Sequence, residues 1–187
     1  MLGPTYTSLE ELVDRAQAGD EKAFAVLFNH YSPGICGYLA GFVRNTEDRD
    51  ELAQDTFFKA WEKLSQLRKA SQFKPWLYQI ATRLAYDYRR RQRGFWLLPL
   101  KDGDDLENPT RFEEYVAEEE LVKLALKQVP WKYRTCLLLQ VEGRLTQDEI
   151  AVAVGISKKS VGVYISYGRE HFRQAYWRLT KEGRRPE

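Results

Sequence analysis

The sequence predicts an all-α protein: two small helical domains joined by an acidic flexible linker, the second domain carrying a helix-turn-helix. Three observations lead there. Apolar residues recur at three- and four-residue spacings behind Ser, Asp, Asn and Thr residues suited to helix capping, and no stretch alternates with period two. Residues 94–117 break that periodicity with Pro99, Pro109 and the acidic run Asp102-Gly103-Asp104-Asp105. Near the C-terminus, a short helical pattern, a Gly-containing turn, a Ser cap and a longer helical pattern follow one another. The expected domains are residues 1–93 and 118–187, with 94–117 between them, a division that suits a chain of 187 residues.

Each element has its own signal. Ser8 reads as the N-cap of a helix carrying Leu9, Leu12, Val13 and Ala16 and ending at Gly19. Asp20 caps a second helix, with Phe24, Leu27, Phe28 and Tyr31 on one face. Pro33 suits the first turn of a third, where its missing N–H has no cost; that helix would carry Ile35, Tyr38, Leu39, Phe42 and Val43 and end near Asn45. Asn45 or Thr46 caps the next, whose inward set is Leu52, Phe57, Ala60, Trp61 and Leu64. Leu67 to Phe73 reads as a polar loop, after which Pro75 opens a long helix ended by Gly94. Leu77, Ile80, Ala81, Leu84 and Tyr88 form its inner stripe, and Gln79, Arg83, Tyr86 and Arg90 its opposite face. Within the linker, Phe95-Trp96-Leu97-Leu98 is an apolar patch suited to docking.

Helical spacing resumes at Glu118 with Leu121, Leu124 and Ala125 and breaks at Val129-Pro130. A helix from Trp131 to Glu142 follows, with Tyr133, Cys136, Leu137, Leu138 and Leu139 available for burial and Gly143 as its stop. Thr146 and Glu149 have capping-box spacing and open a short helix, Gln147–Val154. Gly155 supplies the backbone freedom of the turn, and Ser157 caps a final helix with Val161, Ile165, Gly168, Phe172, Ala175 and Leu179 inward.

The net charge of +2 conceals strong segregation. Residues 8–58 hold ten acids and four bases, and residues 59–93 two acids and ten bases. Residues 94–120 hold nine acids and two bases, and residues 121–187 six acids and thirteen bases. Two separate basic blocks are what a chain with two nucleic-acid-facing surfaces presents. No apolar run approaches the roughly 20 residues that span a bilayer, and no basic-then-apolar leader is present, so a cytoplasmic protein without membrane insertion is expected. Cys36 and Cys136 stand far apart; His30 with Cys36 is at most half of a metal site, so neither metal nor cofactor is expected.

Function is read from three groups of residues. Glu51 and Asp55 lie four apart on one helical face, with Asp48 one turn earlier. Such carboxylates can do acid–base or metal chemistry, yet no His or Gly-rich loop accompanies them, which favours a protein-docking face over a hydrolase or nuclease. In the helix after Phe73, Arg83, Arg89, Arg90, Arg91 and Arg93 offer phosphate contacts. Phe73, Trp76, Tyr78 and Tyr86 offer rings for unpaired bases, although Trp76 suits packing against the preceding helix slightly better. In the last helix, Lys158 and Lys159 stand where a recognition helix meets DNA, and Gly162, Ser166, Arg169 and Arg173 point outward.

The run Asp50-Glu51-Leu52-Ala53-Gln54-Asp55-Thr56-Phe57 resembles the polymerase-binding signature of bacterial extracytoplasmic-function (ECF) sigma factors. Phe73-Lys74-Pro75-Trp76-Leu77, Ile80-Ala81 and Asp87-Tyr88-Arg89-Arg90 resemble that family's promoter-melting helix. Val129-Pro130, Tyr133-Arg134, Leu137-Leu138-Leu139, Glu142-Gly143, Glu149-Ile150-Ala151 and the Gly155-Ile156-Ser157 turn resemble its C-terminal domain, all in family order. The resemblance implies a non-enzymatic subunit that binds core RNA polymerase and promoter DNA and is held by an anti-sigma factor. It implies polymerase contacts by Asp48, Glu51, Gln54, Asp55 and Phe58. Lys69, Phe73, Trp76, Gln79, Arg83, Tyr86 and Arg90 would serve the minus-ten element, a flipped base being captured near residues 69–76. Thr146, Ser157, Lys158, Lys159, Ser160, Tyr164 and Arg169 would serve the minus-thirty-five element. The linker would thread the polymerase.

Departures from the family pattern are concentrated in the last helix. Gly162 and Tyr164 stand where Lys or Arg is usual, and Ser166 and Tyr167 replace a histidine and an arginine. Thr82-Arg83 stands where Arg-Asn is common. A duplex-DNA regulator acting without polymerase, or a sigma-like protein whose altered helix serves protein interaction, are the alternatives these departures leave open.

Overall fold

A computed structural model describes residues 8–43, 45–92 and 118–182, and among these residues every regular element is helical. The chain falls into two compact units, Met1–Gln92 and Arg93–Glu187. The linker residues, Gly94 and the apolar patch at 95–98 lie outside the described residues.

The first unit comprises α1 (Leu9–Gln17), α2 (Glu21–Ala40), α3 (Thr46–Lys63) and α4 (Phe73–Gln92), with short 3-10 turns at Leu64–Gln66 and Ala70–Gln72. Its caps are those the sequence predicts. Ser8 Oγ accepts from the Glu11 N–H, Asp20 from the N–H groups of Lys22 and Ala23, and Asn45 rather than Thr46 from Asp48. Helix α1 packs on α2, α2 on α3 and α3 on α4. Leu27, Ile35, Tyr38, Leu39, Leu52, Phe57, Leu77 and Ala81 fill the core. Phe24 meets the Trp61 ring at 4.9 Å, and Phe28 the Phe57 ring edge-on at 4.6 Å.

Two helix boundaries differ from expectation. Pro33 does not open a new helix; it lies inside α2, which continues to Ala40 and leaves Phe42 and Val43 beyond its end. A proline inside a helix costs about 3 kcal/mol. Four fully buried side chains, Leu27, Ile35, Tyr38 and Leu39, lie on the inner face before and after it, at roughly 1.5–3 kcal/mol each. Burial wins. Both Pro33 and Asn29, whose carbonyl loses its helical partner, are exposed. Helix α4 begins at Phe73 rather than Pro75, so Pro75 still sits in the first turn, where N–H groups have no helical acceptor.

The second unit is built on one long helix. Helices α5 (Glu118–Lys127), α6 (Trp131–Val141) and α7 (Gln147–Val154) all pack on α8 (Lys158–Glu182). A Cβ at Gly168 would lie 3.0 Å from the Tyr133 carbonyl oxygen and 3.2 Å from Leu137 Cβ. This glycine therefore permits the close crossing of α6 and α8. The capping box forms in full, with Glu149 Oε2 accepting from the Thr146 N–H at 2.8 Å. Gly155 ends α7 in the left-handed region at φ 74°. After α6 that region is taken by Arg144 (φ 48°), the residue following Gly143. Cys136 is buried, and desolvation raises its thiol to about 11; Cys36 is half-buried.

Candidate nucleic-acid and protein interfaces

Helix α3 presents Glu51, Gln54 and Phe58 to solvent, Phe58 being 63% exposed, with Asp55 half-buried beside them. The 3.6-residue repeat that buries Leu52, Ala53, Thr56, Phe57 and Ala60 leaves this strip outside. Glu51 and Asp55 have no partner among the described residues. Asp48 differs from them, because its Oδ2 accepts from the Tyr88 hydroxyl of α4 at 2.6 Å. Asp48, Glu51, Tyr88, Arg91 and Gln92 line a cleft of about 260 Å³. Polar groups of α4 thus converge on the acidic face, and the residues lining this cleft include no His, Ser, Thr or Cys to form a nucleophile–base pair. No group of three metal-ligating side chains occurs among the described residues. His30 is exposed and stacks edge-on against Tyr31 at 4.7 Å.

Helix α4 sets Gln79, Arg83 and Arg90 outside, with Tyr86 and Trp76 half-buried among them, and Lys69 is exposed on the preceding turn. Phe73 and Tyr78 do not share that surface. Phe73 is buried against Tyr31 (5.4 Å) and Trp76 (5.9 Å), and Tyr78 against Tyr38 (5.6 Å), so neither ring is open to a base. Helix α4 is thus an amphipathic helix whose first aromatic belongs to the core. Two sets of polar contacts around α4 and the turn before it have no signal in the sequence. Thr82 donates to the Tyr78 carbonyl at 2.7 Å, which leaves the Tyr38 hydroxyl to donate to Thr82 Oγ1 at 2.7 Å. Gln17 of α1 donates to the carbonyls of Leu64 (2.9 Å) and Leu67 (2.7 Å), holding the turn that leads to Lys69. Neither pairing has a local signature, since the partners lie 44 to 50 residues apart.

In the second unit, α7, the Gly155 turn and α8 form the expected helix-turn-helix. Ser157 Oγ accepts from the Ser160 N–H at 3.1 Å and shares a hydrogen bond with the Ser160 hydroxyl at 2.8 Å. Thr146 is committed to its capping box. The cations are mostly engaged. Lys158 pairs with Asp148 at 2.8 Å, Arg169 donates to Gln140 Oε1 at 2.8 Å, and Arg173 pairs with Glu170. Lys159 is exposed and has no partner among the described residues. Tyr164 meets the Tyr133 ring edge-on at 5.4 Å, Tyr167 meets it at 5.4 Å, and His171 stacks on it at 5.5 Å. The aromatic replacements in α8 therefore form a cluster over α6.

Residues 27–95 match the family Sigma-70 region 2, and residues 119–172 match Sigma-70 region 4. The chain is 29% identical to the RNA polymerase sigma-H factor of Pseudomonas aeruginosa over 92% of its length and 96% of that protein's. It is 30% identical to the RNA polymerase sigma factor NccH of Alcaligenes xylosoxydans, covering 86% of this chain and 90% of that one. To the ECF RNA polymerase sigma factor SigW of Bacillus subtilis it is 26% identical, over 89% and 95%. Among solved structures, CnrH in complex with the cytosolic domain of CnrY shares the fold. The TM-score is 0.69 at 22% identity, over 89% of this chain and 95% of that one. RpoE of Bartonella quintana, solved with the anti-sigma factor NepR, shares it at TM-score 0.65 and 18% identity, over 82% and 96%.

Proposed function

Because the chain belongs to the ECF-type RNA polymerase sigma factors with sigma-70 regions 2 and 4, we propose that its two units divide the work by surface. Its function is transcription initiation with RNA polymerase, as a specificity subunit rather than an enzyme. In the proposal, Glu51, Gln54, Asp55 and Phe58 of α3 dock on a basic surface of core polymerase. Asp48, tied to Tyr88, braces that face from below. Lys69, Trp76, Gln79, Arg83, Tyr86 and Arg90 line the path of the opened minus-ten strand. Phosphate contacts supply affinity there, and the partly exposed rings supply stacking. The second unit takes the minus-thirty-five element through α8, with Ser157, Lys158, Lys159 and Ser160 at its start. The linker threads the polymerase, and the protein works in the cytoplasm; no helix among the described residues is long and apolar enough to cross a membrane.

One observation carries this reading: within a single unit, α3 carries an acidic outer strip and the helix packed on it, α4, carries exposed basic side chains with the half-buried rings of Trp76 and Tyr86 among them. A basic protein surface and a polyanion can then be held together. An anti-sigma factor belongs to the proposal too, since the similar structure RpoE was solved with the anti-sigma factor NepR. Its natural target is the same α3 strip, which would exclude polymerase.

The test is capture of bacterial core polymerase by the purified chain, then run-off transcription from a promoter library. Wild type should bind and initiate at a shared pair of spaced elements. Asp55→Arg should weaken polymerase binding about tenfold through charge reversal at the interface while the fold persists. Unchanged affinity would remove α3 from the interface. Binding without initiation would favour a sigma-like interaction protein, a reading consistent with the tyrosine cluster on α8.

A further inference from the structure

We propose that base readout in the second unit has moved from α8 to α7: the Gln147 carboxamide, lying in the space above Gly162, reads an adenine of the minus-thirty-five element. This rests on the reading of the second unit given above and names the residue that sets its specificity.

The two glycines of α8 differ in cause. Gly168 is demanded by the backbone of α6, whereas a Cβ on Gly162 would meet only the Gln147 side chain, with Oε1 at 3.7 Å and Nε2 at 3.8 Å, ordinary contact distances. Glycine inside a helix is less stable than alanine, and no internal close approach at position 162 requires that loss. The missing side chain widens an open cleft of about 500 Å³ that runs along α8 from Gly162 past Tyr167 and Arg169 to Glu170 and is bordered by Gln140 and Gln147. A long side chain at position 162 would occupy the part of it next to Gln147.

The groups that reach into the cleft are suited to base edges. Gln147 is exposed at the first position of α7, and its carboxamide has no hydrogen-bond partner among the described residues. A carboxamide pairs with adenine through N6 and N7 in the major groove, one donor and one acceptor in register. Arg169 is held from α6 by Gln140 at 2.8 Å, which aims its remaining N–H groups. Tyr164, standing where a DNA-reading side chain is usual, packs edge-on against Tyr133, whereas Tyr167 touches the same ring, stays half exposed and lines the cleft. With no side chain at Gly162 and Tyr164 packed on Tyr133, the exposed amide at the start of α7 is the carboxamide that faces the cleft.

The experiment uses polymerase holoenzyme reconstituted with the full-length chain and promoter fragments carrying every single-base change across the upstream element. Wild-type holoenzyme should prefer adenine at one position by about tenfold. Gln147→Ala should abolish that preference while changing discrimination at the other positions less than about twofold. Gln147→Glu should move the preference toward cytosine, whose N4 amino group a carboxylate accepts. Gly162→Ala should narrow the cleft and lower affinity for the adenine fragment without lowering the melting temperature. A Gln147→Ala profile identical to wild type, or a uniform loss across all fragments as for a phosphate contact, would overturn the proposal. Failure of the wild-type holoenzyme to show any upstream preference would instead overturn the reading of the second unit on which it rests.

Discussion

The two units carry basic blocks of nearly equal size, yet they hold them differently. In the first, Arg83 and Lys69 stand exposed without partners among the described residues, and of that surface's basic side chains Arg90 pairs with Asp87, at 3.5 Å. In the second, Lys158, Arg169, Arg173 and Arg178 each face an acid or an amide, Arg134 is buried, and Lys159 stands apart. Block charge therefore overstates what the second unit offers a phosphate backbone. Exposed pairs of this kind are worth under about 1 kcal/mol, so they can be exchanged for a stronger anion. They still orient the side chains beforehand. The first unit is built to attract, the second to aim.

That contrast can be broken most severely at the α6–α8 crossing. Gly168→Val should destabilise the second unit by about 3 kcal/mol, because the added side chain meets helix backbone and cannot be absorbed by a rotamer change. The first unit should unfold as before, and denaturant titration followed by circular dichroism would separate the two transitions. A single unchanged transition would show that the crossing is not tight. The complementary cut is Tyr88→Phe, which removes the 2.6 Å bond to Asp48 and should lower the first unit's stability by about 1 kcal/mol, discounted for exposure. Lys159→Ala addresses attraction directly. It should reduce the slope of log affinity against log salt by about 1 and weaken binding severalfold on all sequences alike. An unchanged slope would argue against a phosphate contact there.

The smallest effect is one of acidity. The Ala23 N–H and then Arg15 hold the Asp20 carboxyl below its ordinary value of 3.8. A depressed native value means that its contribution is present above pH 3.8 and is lost as pH falls through the lower native value. Asp20→Asn should therefore flatten the acid limb of the first unit's melting temperature and leave the second unit's untouched.

Much of this was legible in the sequence. Caps at Ser8, Asp20 and Thr146 and the turn at Gly155 are local chemistry, readable within four residues. Helix boundaries failed where tertiary burial overruled a local rule: Pro33 looks like a helix start and becomes a helix interior because the core continues past it. The aromatic assignment failed for a related reason. Phe73 and Tyr78 sit in a basic stretch, but the helix phase turns both inward. The Thr82–Tyr38 and Gln17–Leu67 bonds could not be read, because nothing in a neutral hydroxyl or amide names a partner more than forty residues away. Gly162 is unusual on the sequence alone, but the space beside it depends on the packing of α7, which brings Gln147 from fifteen residues away.

The placement of the two thiols gives each unit its own clock. Cys36 lies in the first unit and Cys136 in the second. With its value near 11, Cys136 presents only about one thiolate in a thousand at pH 8 while the unit is closed. Its alkylation therefore proceeds chiefly through openings of the second unit and counts them, whereas half-buried Cys36 labels through smaller motions of α2. In the unaltered chain, two labelling rates would report whether docking on polymerase or DNA quiets both halves or only one.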